Sequence, residues 1–548
     1  MKLIRCTFKY ILKYYPTFIV LILSAMIRAV IAIILPFLSG SFIDQLLADT
    51  NVKTIYTYAG IYVFIALIQI VSIYTTSILQ TSLFSNASFN LTDDITKHMQ
   101  RLPLHFYTNK DITYLCHKIQ NDANTIISFG LNNALDLIVN IVSMIGTFYI
   151  VMSLNSFMFF IFIAALLIYL VQYAVTKKIL YSSTQSVREI EAHYFSTLQS
   201  QLKNLKLIKI FNKISFFKNK LYGDYNKLYK SRLKLQKVSC LFQSNQIIIS
   251  SIFRVVLIVF GGFQFINGNI SIGNFSVLLS YLGLIMNSAI FFANLGQVYV
   301  SALVSFNRIQ ELDKIEEERG GTNTIEQITS IDVSNLSYGY DKKMLIKNFS
   351  CSFEKGKIYC LSGMNGIGKS TFLDIISGLY QSYEGTVLYN QRYDIKNLDM
   401  YFIREDLCSF VSQDALLYED SIYNNIILGS KTDNRNKVVE LAEEIGLFIE
   451  KENSLTLDYF IDNNRDNLSG GEKQKINLLR SFIEDRDLFV FDEPTSFLDN
   501  PSREIFMRKV KELKAASKII IIITHDIELQ NMCDIIINLE NTVAPNLI

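Results

Sequence analysis

Three short segments in the second half of the chain combine glycines, hydroxyls, carboxylates and lysines at close spacing. The first reads Gly-Met-Asn-Gly-Ile-Gly-Lys-Ser-Thr and ends at Thr371, the second reads Leu-Ser-Gly-Gly-Glu-Lys-Gln from Leu468, and the third reads Leu-Phe-Val-Phe-Asp-Glu-Pro-Thr from Leu488. Glycines let backbone N–H groups converge on phosphate, and the N-terminus of a following helix adds positive potential. The first segment therefore predicts a phosphate-binding loop, with expected contacts from Gly363, Asn365, Gly366, Gly368 and Thr371.

The charged and hydroxyl side chains of these segments predict the chemistry. Lys369 should reach the β- and γ-phosphates of ATP, and Ser370 should hold Mg²⁺. The apolar run before Asp492 reads as a buried strand, whose tip brings Asp492 near the metal. Glu493 then fits the base that polarises the attacking water. His525 follows another apolar strand and is expected to contact the γ-phosphate.

The second segment predicts that the ATPase works in pairs. Ser469, Gly470 and Gly471 begin a helix, which makes them an additional set of phosphate contacts. One ATP-binding fold cannot deliver this set to its own nucleotide. We therefore expect two such folds to share each ATP.

The first half of the chain is predicted to lie in a membrane. The chain has 548 residues, of which 50% are hydrophobic and 19% charged. No Asp, Glu, Lys, Arg or His occurs between Thr54 and Thr92, between Leu137 and Thr176, or between Val255 and Asn307. Because about 20 apolar residues cross a hydrocarbon core, a transmembrane domain is expected at 1–313, with spans at about 15–39, 55–80, 131–153, 157–176, 245–266 and 275–300.

The charges between the spans predict their orientation. The segment 177–237 contains fourteen Lys and Arg against three acids, and four basic residues precede the first span. Both termini and the ATP-binding domain are therefore expected in the cytoplasm, where seven scattered cysteines fit a reducing compartment. The basic segment suits lipid headgroups, and no nucleic-acid partner is expected. The loops at about 81–130 and 177–244 read as helices that continue past the membrane.

Several polar residues fall within the predicted spans. Arg28 and Arg254 could line a path for a polar or anionic cargo, or could pair with Asp136 or reach the membrane interface. Polar residues at helical spacing on the third span could face an aqueous path or hold helices together. The members of that set are Asn132, Asn133, Asp136 and Asn140.

Composition changes after the last span. A charged stretch ending in Gly320-Gly321 reads as a linker at 314–328, and short apolar runs then alternate with amphipathic stretches over 329–548. This alternation is typical of an α/β fold. The predicted fold class is a membrane α-helical bundle, with six transmembrane helices and long cytoplasmic extensions, followed by an α/β P-loop nucleotide-binding domain.

These motifs together resemble the ATP-binding cassette, and the whole chain is similar to exporter-type half-transporters of the ABC family, with six spans before one cassette. The resemblance implies that Tyr340 stacks on adenine, with Tyr338 as the competing candidate. It implies that Gln413 senses the γ-phosphate and acts at the metal with Ser370, with Asp492 acting through water. It also implies that the Ser469 segment closes over the other subunit's ATP, and that a loop containing Asp499 links the two sites. The helix tips near 109–116 and 211–217 would then couple the cassette to the membrane domain.

The chain departs from the family pattern at three places. Glu472 stands where Gln is frequent, Phe497 stands where Ala is common, and 461–467 lacks the usual Gly-Glu pair. No chemically required residue is missing, which favours a homodimer over a heterodimer with a degenerate partner.

The resemblance implies an ATP-driven exporter in the plasma membrane of a bacterium, with membrane lipid and a transported substrate as further partners. The motif layout favours a modified or antimicrobial peptide as cargo. A multidrug exporter, a lipid flippase and a nucleotide-gated regulatory module remain alternatives, whereas the six spans argue against a soluble ABC ATPase.

Overall fold

The computed structural model of the chain describes residues 2–48, 52–107, 112–318, 320–340, 343–364, 366–431, 434–447, 456–462 and 467–539. Internal contacts divide the chain into two compact units. One comprises Met1–Met99 and Ile112–Lys314, and the other comprises Gln100–Asp111 and Ile315–Ile548. The first unit consists of helices, and the second contains all the strands that the structure describes.

The first unit contains six helical segments that are long and apolar enough to cross a membrane, by length and composition. At 1.5 Å per residue, the 49 residues of α3 extend roughly 70 Å, more than twice the hydrocarbon thickness. The expectation that helices continue past the predicted spans therefore agrees with the structure. The described helices of this unit are α1 (Lys2–Ile11), α2 (Tyr15–Ala48), α3 (Val52–Gln100), α4 (Ile112–Leu154), α5 (Ser156–Lys203), α6 (Leu205–Ile210), α7 (Ile214–Ile266) and α8 (Ile272–Asp313).

Short turns that contain Asn or Gly separate α4 from α5 and α7 from α8. Asn155 caps α5, since its side chain accepts hydrogen bonds from the N–H groups of Phe157 and Met158. Gly268, with a φ of 72°, lies in the turn between α7 and α8. Of the two expected helix tips, Phe211 and Asn212 lie between α6 and α7, whereas 108–111 fall outside the described residues.

Helices α2 and α8 approach each other closely near one end of the unit. A Cβ placed on Gly273 would lie 2.0 Å from the carbonyl oxygen of Gly40, so only glycine fits there. Asp44 of α2 accepts hydrogen bonds from the Ser271 hydroxyl at 2.5 Å and from the Gly273 N–H at 2.7 Å. The carboxylate thus caps the N-terminus of α8, where the helix dipole favours negative charge.

Polar side chains of the first unit serve partly as contacts between helices. Gln80 of α3 donates to Asn132 of α4 at 2.8 Å, which supports a packing role for Asn132. Arg254 is exposed on α7. Arg28 is half-buried, and its buried Nε–H finds no acceptor among the described residues. Neither arginine is shown to line a path.

The second unit contains two sheets and short helices. Its strands are β1 (Ser330–Tyr340), β2 (Lys343–Glu354), β3 (Lys357–Ser362), β4 (Glu384–Tyr389), β5 (Tyr393–Asp394), β6 (Cys408–Val411), β7 (Leu488–Asp492), β8 (Ile519–Ile523) and β9 (Ile535–Asn538). Its helices are α9 (Lys369–Ile376), α10 (Met400–Asp406), α11 (Ile422–Ile426), α12 (Arg435–Glu444), α13 (Gly470–Phe482), α14 (Asn500–Ala515) and α15 (Ile527–Met532).

The larger sheet of this unit is parallel and buried. Its strand order is β6-β7-β8-β3-β9, while the smaller antiparallel sheet has the order β2-β1-β4-β5. Strand β8 consists of five buried isoleucines. Ile519, Ile521 and Ile523 belong to one apolar core, and Ile520 and Ile522 to the core on the other face. A strand covered on both faces is apolar throughout, and the carboxyl ends of β3, β7 and β8 therefore meet at one edge.

Candidate ATP site

The loop between β3 and α9 has the backbone that a phosphate-binding loop needs. Gly366 and Gly368 have φ values of 81° and 107°, which other residues adopt only with strain. Helix α9 begins at Lys369, whose Nζ donates to the carbonyl oxygens of Gly363 at 2.6 Å and Met364 at 3.4 Å. The lysine thus lies against the loop, at the N-terminus of a helix. The predicted contact Asn365 lies outside the described residues.

Two oxygen-bearing side chains meet beside this loop. The Ser370 hydroxyl donates to Asp492 Oδ2 at 2.6 Å, joining the first turn of α9 to the end of β7. Burial raises the pKa of Asp492, and the Ser370 hydrogen bond and the charge of Lys369 oppose this effect. A hydroxyl and a carboxylate are thereby held together at the edge of the sheet.

Glu493 and His525 lie next to this pair, on adjacent strand ends. Glu493 has a φ of 49°, in the left-handed region, and its N–H donates to the carbonyl oxygen of Ile523 at 2.9 Å. This conformation is strained for glutamate and occurs often at functional sites. Its Oε1 lies 3.6 Å from His525 Nε2. A carboxylate and an imidazole therefore face the same space.

One cavity of about 600 Å³ brings most of the predicted residues together. Nine of them line it, and they come from the phosphate loop, the ends of β7 and β8, and the loop after β6. These nine are Gly366, Gly368, Lys369, Ser370, Thr371, Gln413, Asp492, Glu493 and His525. The volume suits a nucleotide-sized ligand.

The predicted residues Ser469, Gly470 and Gly471 form a separate turn, here called the signature turn. They begin α13 and do not appear among the described residues that line the cavity. Ser469 caps the helix by accepting from the N–H of Glu472, and the Glu472 carboxylate accepts from the N–H of Ser469 at 2.6 Å. This reciprocal capping box holds the turn in place. Glu472 thus has a local role where the family often has Gln.

The segment 494–499, here called the linking segment, joins Glu493 to the start of α14. Gln474 of α13 donates to the carbonyl oxygen of Pro494 at 3.2 Å, and Lys475 donates to Asp499 at 2.9 Å. Asp499 also caps α14 through the N–H of Ser502. The predicted residue Asp499 therefore binds to the helix that begins with the signature turn, and does not line the cavity formed by the described residues.

The two candidates for adenine stacking differ in burial. Tyr338 is 7% exposed in the core, with its ring 5.6 Å from that of Tyr380. Such burial leaves little of the Tyr338 ring for a nucleotide. Tyr340 ends β1 and its side chain lies outside the described part of the structure, so its role remains a prediction.

Three residues that line the cavity are absent from the sequence-based prediction. Leu345 of β2 and Ile523 of β8 supply apolar walls, and Ser496 lies beside Glu493, to whose carbonyl oxygen it donates at 3.2 Å. The sequence carries a weak signal for two of them, since Ser496 follows the Asp-Glu motif closely and Ile523 precedes His525 by two positions. Leu345 could be found only from the fold.

Comparisons with known proteins find similarity to ABC transporters in both halves of the chain. The family description "ABC transporter transmembrane region" matches residues 18–289, and "ABC transporter" matches residues 346–496. The chain is 23% identical to the Microcin-J25 export ATP-binding/permease protein McjD of Escherichia coli, over 94% of this chain and 89% of that protein. It is 26% identical to the lactococcin-G-processing and transport ATP-binding protein LagD of Lactococcus lactis, over 88% of this chain and 69% of that protein.

A further relative and a solved structure extend the similarity over nearly the whole chain. The multidrug resistance-like ATP-binding protein MdlA of Buchnera aphidicola is 23% identical over 99% of this chain and 94% of its own length. The structure of a bacterial Atm1-family ABC exporter with ATP bound covers 96% of this chain and 93% of its own, with a TM-score of 0.83 at 17% identity. The predicted fold class and family are confirmed. The chain belongs to the ABC transporters, as a multi-pass membrane half-transporter of exporter type that couples ATPase activity to transport.

Proposed function

We propose that the chain forms one half of a homodimeric exporter that moves a peptide out of the cytoplasm across a bacterial plasma membrane. The main support for a dimer is that the signature turn does not line the cavity that the described residues of its own chain form. A second copy can present its signature turn to this cavity, and the first copy can do the same in return. Such a reciprocal arrangement is typical of two-fold symmetric dimers.

The donor set of the site fits magnesium. Ser370 Oγ and Asp492 Oδ2 are oxygens 2.6 Å apart, and magnesium prefers oxygen ligands together with water and phosphate. The described residues contain no group of three or more His, Cys, Asp or Glu that could hold a metal. Ser370, Gln413 and, through water, Asp492 would hold the ion between protein and phosphate. When bound, it would neutralise charge on the phosphates.

Four residues of the chain would have separate roles in hydrolysis. Lys369 would release the carbonyl oxygens of the loop and bind the β- and γ-phosphates. Glu493 would accept a hydrogen bond from the attacking water and polarise it, and His525 and Gln413 would contact the γ-phosphate. Closing two cassettes around ATP would shift the membrane helices from an inward-open to an outward-open state. Hydrolysis would then weaken the closed dimer and reset the cycle.

The charge distribution supports the proposed orientation. Thirteen of the fourteen basic residues of 177–237 fall on the far part of α5, on α6 and on the first part of α7, and the other, Lys213, directly precedes α7. Positive charge accumulates on the cytoplasmic side of membrane proteins. The two termini and the cassette would lie on that side as well.

The names of two relatives support a peptide cargo, since McjD is named for microcin J25 export and LagD for lactococcin G transport. The name of MdlA supports the second candidate, a multidrug exporter. ATPase stimulation in proteoliposomes separates these candidates. Peptides should raise the rate if the proposal holds, whereas stimulation by lipophilic drugs or lipids alone would favour the alternative.

A substitution at Glu493 tests the proposed mechanism. We expect Glu493→Gln to lower the ATPase rate by about 100-fold or more, because an amide cannot act as the base. ATP should still bind, and the variant should accumulate as a closed dimer, seen as a larger species in detergent with ATP. The matched control is Lys369→Ala, which should lose ATP binding and should not accumulate the dimer. Equal ATPase rates in Glu493→Gln and wild type would refute the role of Glu493.

A further inference from the structure

Phe497 distinguishes this chain from the family pattern, and its position gives it a role. The residue lies in the linking segment, with its side chain 57% exposed. A Cβ placed on Gly470 would lie 3.3 Å from Phe497 Cδ1 and 3.5 Å from its Cγ. The aromatic ring therefore lies against the signature turn of the same chain.

The backbones of the two segments also approach closely at this point. A Cβ placed on Gly471 would lie 2.8 Å from the carbonyl oxygen of Phe497, a distance that a real Cβ essentially never shows. Gly471 thus permits an approach that a larger residue would prevent. The ring and the carbonyl group of Phe497 touch consecutive residues of the signature turn.

Two hydrogen bonds from buried side chains lie on either side of Phe497. Gln474, 1% exposed, donates to Pro494 three positions before it, and Lys475, 6% exposed, donates to Asp499 two positions after it. The two donors, Gln474 and Lys475, lie within the first two turns of α13. The linking segment is therefore attached to this helix near both ends, and Phe497 supplies the apolar contact between them.

We propose that Phe497 is a positioning residue that keeps the signature turn in a fixed position relative to Glu493. This inference rests on the proposed dimer, in which the signature turn serves the partner's ATP while Glu493 serves its own. A displacement at Glu493 would then be passed through the linking segment to the signature turn, and from there to the partner's ATP. An alanine, common at this position in the family, has no ring to make the contact.

The test compares Phe497→Ala with Phe497→Leu and with Phe402→Ala. Leucine keeps an apolar side chain able to cover Gly470, and Phe402 is an exposed aromatic residue on α10 of the same unit. Each variant is purified as the full chain and assayed for ATPase rate against ATP concentration, for ADP binding and for thermal unfolding. The same substitutions are made in the Glu493→Gln background to measure the ATP concentration that produces the closed dimer.

For Phe497→Ala, we expect the KM for ATP and the ATP concentration for dimer closure to rise roughly fivefold, as loss of one aromatic contact implies. The Hill coefficient should fall, while kcat changes less than the KM. ADP binding, which uses the chain's own phosphate loop, should be unchanged. Phe497→Leu should recover most of the loss, and Phe402→Ala should match wild type.

Two results would overturn the inference. Wild-type KM and cooperativity in Phe497→Ala would show that the ring does not position the signature turn. A higher ATPase rate in Phe497→Ala would show that the ring restrains the turn instead. Failure of the Glu493→Gln protein with Phe497 intact to close with ATP would instead count against the proposed dimer itself, so the two failures can be told apart.

Discussion

Lys475 is a buried charge that holds the linking segment against α13. Its Nζ donates to Asp499 at 2.9 Å and to the carbonyl oxygen of Gly446 at 3.0 Å. Burial alone would raise the pKa of Asp499, but hydrogen bonds from Ser502 and Lys475 outweigh burial and lower that pKa to about 2. The carboxylate is therefore ionised, and paired with the lysine, throughout the neutral range.

We expect Lys475→Met to lower the free energy of unfolding by about 1–2 kcal/mol at neutral pH, because Asp499 loses one of its two donors and the Gly446 carbonyl oxygen loses the lysine donor. An unfolded aspartate has a pKa of about 3.9, so a lower folded value stabilises the fold above about pH 4. That contribution is lost as the pH falls towards 2. Thermal unfolding in detergent measures the difference in unfolding temperature between wild type and variant. This difference should be constant from neutral pH to about pH 5 and should shrink below about pH 4.

The control for this measurement is Lys511→Met, which changes an exposed lysine on α14. It should unfold like wild type at each pH. A gap between wild type and Lys475→Met that widens on acidification would contradict the assignment of the lowered pKa to Asp499.

At the scale of elements, the contact between α2 and α8 depends on two glycines. A Cβ on Gly273 would lie 2.0 Å from the Gly40 carbonyl oxygen and 2.5 Å from the Asp44 carboxylate. A methyl group there would push the helices apart and disturb the cap that Asp44 places on α8. The same helix also contains Gly283, where a Cβ would meet nothing within 4 Å. The chain thus offers a matched pair of glycines.

We expect Gly273→Ala to destabilise the detergent-solubilised protein by about 1–3 kcal/mol, the usual range for overpacking. Gly283→Ala should leave stability unchanged or raise it slightly, since alanine favours helix over glycine. Thermal unfolding followed by the helical circular dichroism signal provides the measurement. Equal unfolding temperatures for the two variants would show that the α2–α8 contact is not closely packed in the membrane protein.

The sequence predicts elements best where a local pattern sets them. The phosphate loop and the Asp492–Glu493 pair can each be read from adjacent residues, because each is a run of consecutive residues that directly follows or ends an apolar strand. The contact of Phe497 with Gly470 depends on how distant segments pack, and no periodicity indicates it. Composition predicts that helix continues past the span 55–80, but the residue at which α3 ends, Gln100, has no signal in the hydropathy, because water-exposed helix has no apolar signature. The burial of Tyr338 likewise depends on tertiary packing and cannot be predicted from the local sequence.

At the scale of the whole molecule, each ATP would need two chains. The cavity contains the phosphate loop and Glu493, and the signature turn lies apart from it within one chain. In a homodimer, each of the two sites would combine Lys369 of one copy with Ser469 of the other. Defects in Lys369 and Ser469 should therefore complement each other only when they are carried by different copies.

This arrangement predicts the outcome of mixing two inactive proteins. Lys369→Ala and Ser469→Arg should each abolish ATPase activity alone, because every site in either homodimer is damaged. In a dimer of one copy of each, both defects fall in the same site and the other site is intact. Random mixing before reconstitution should restore up to roughly a quarter of the wild-type rate, since about half of the dimers are mixed and each has one intact site. In the control, a chain carrying both substitutions is mixed with wild type, which damages both sites of every mixed dimer, so exchange should lower the rate from about half to about a quarter of the full wild-type rate. If the two single variants stayed inactive after mixing while wild-type chains exchanged normally, the shared site would be wrong.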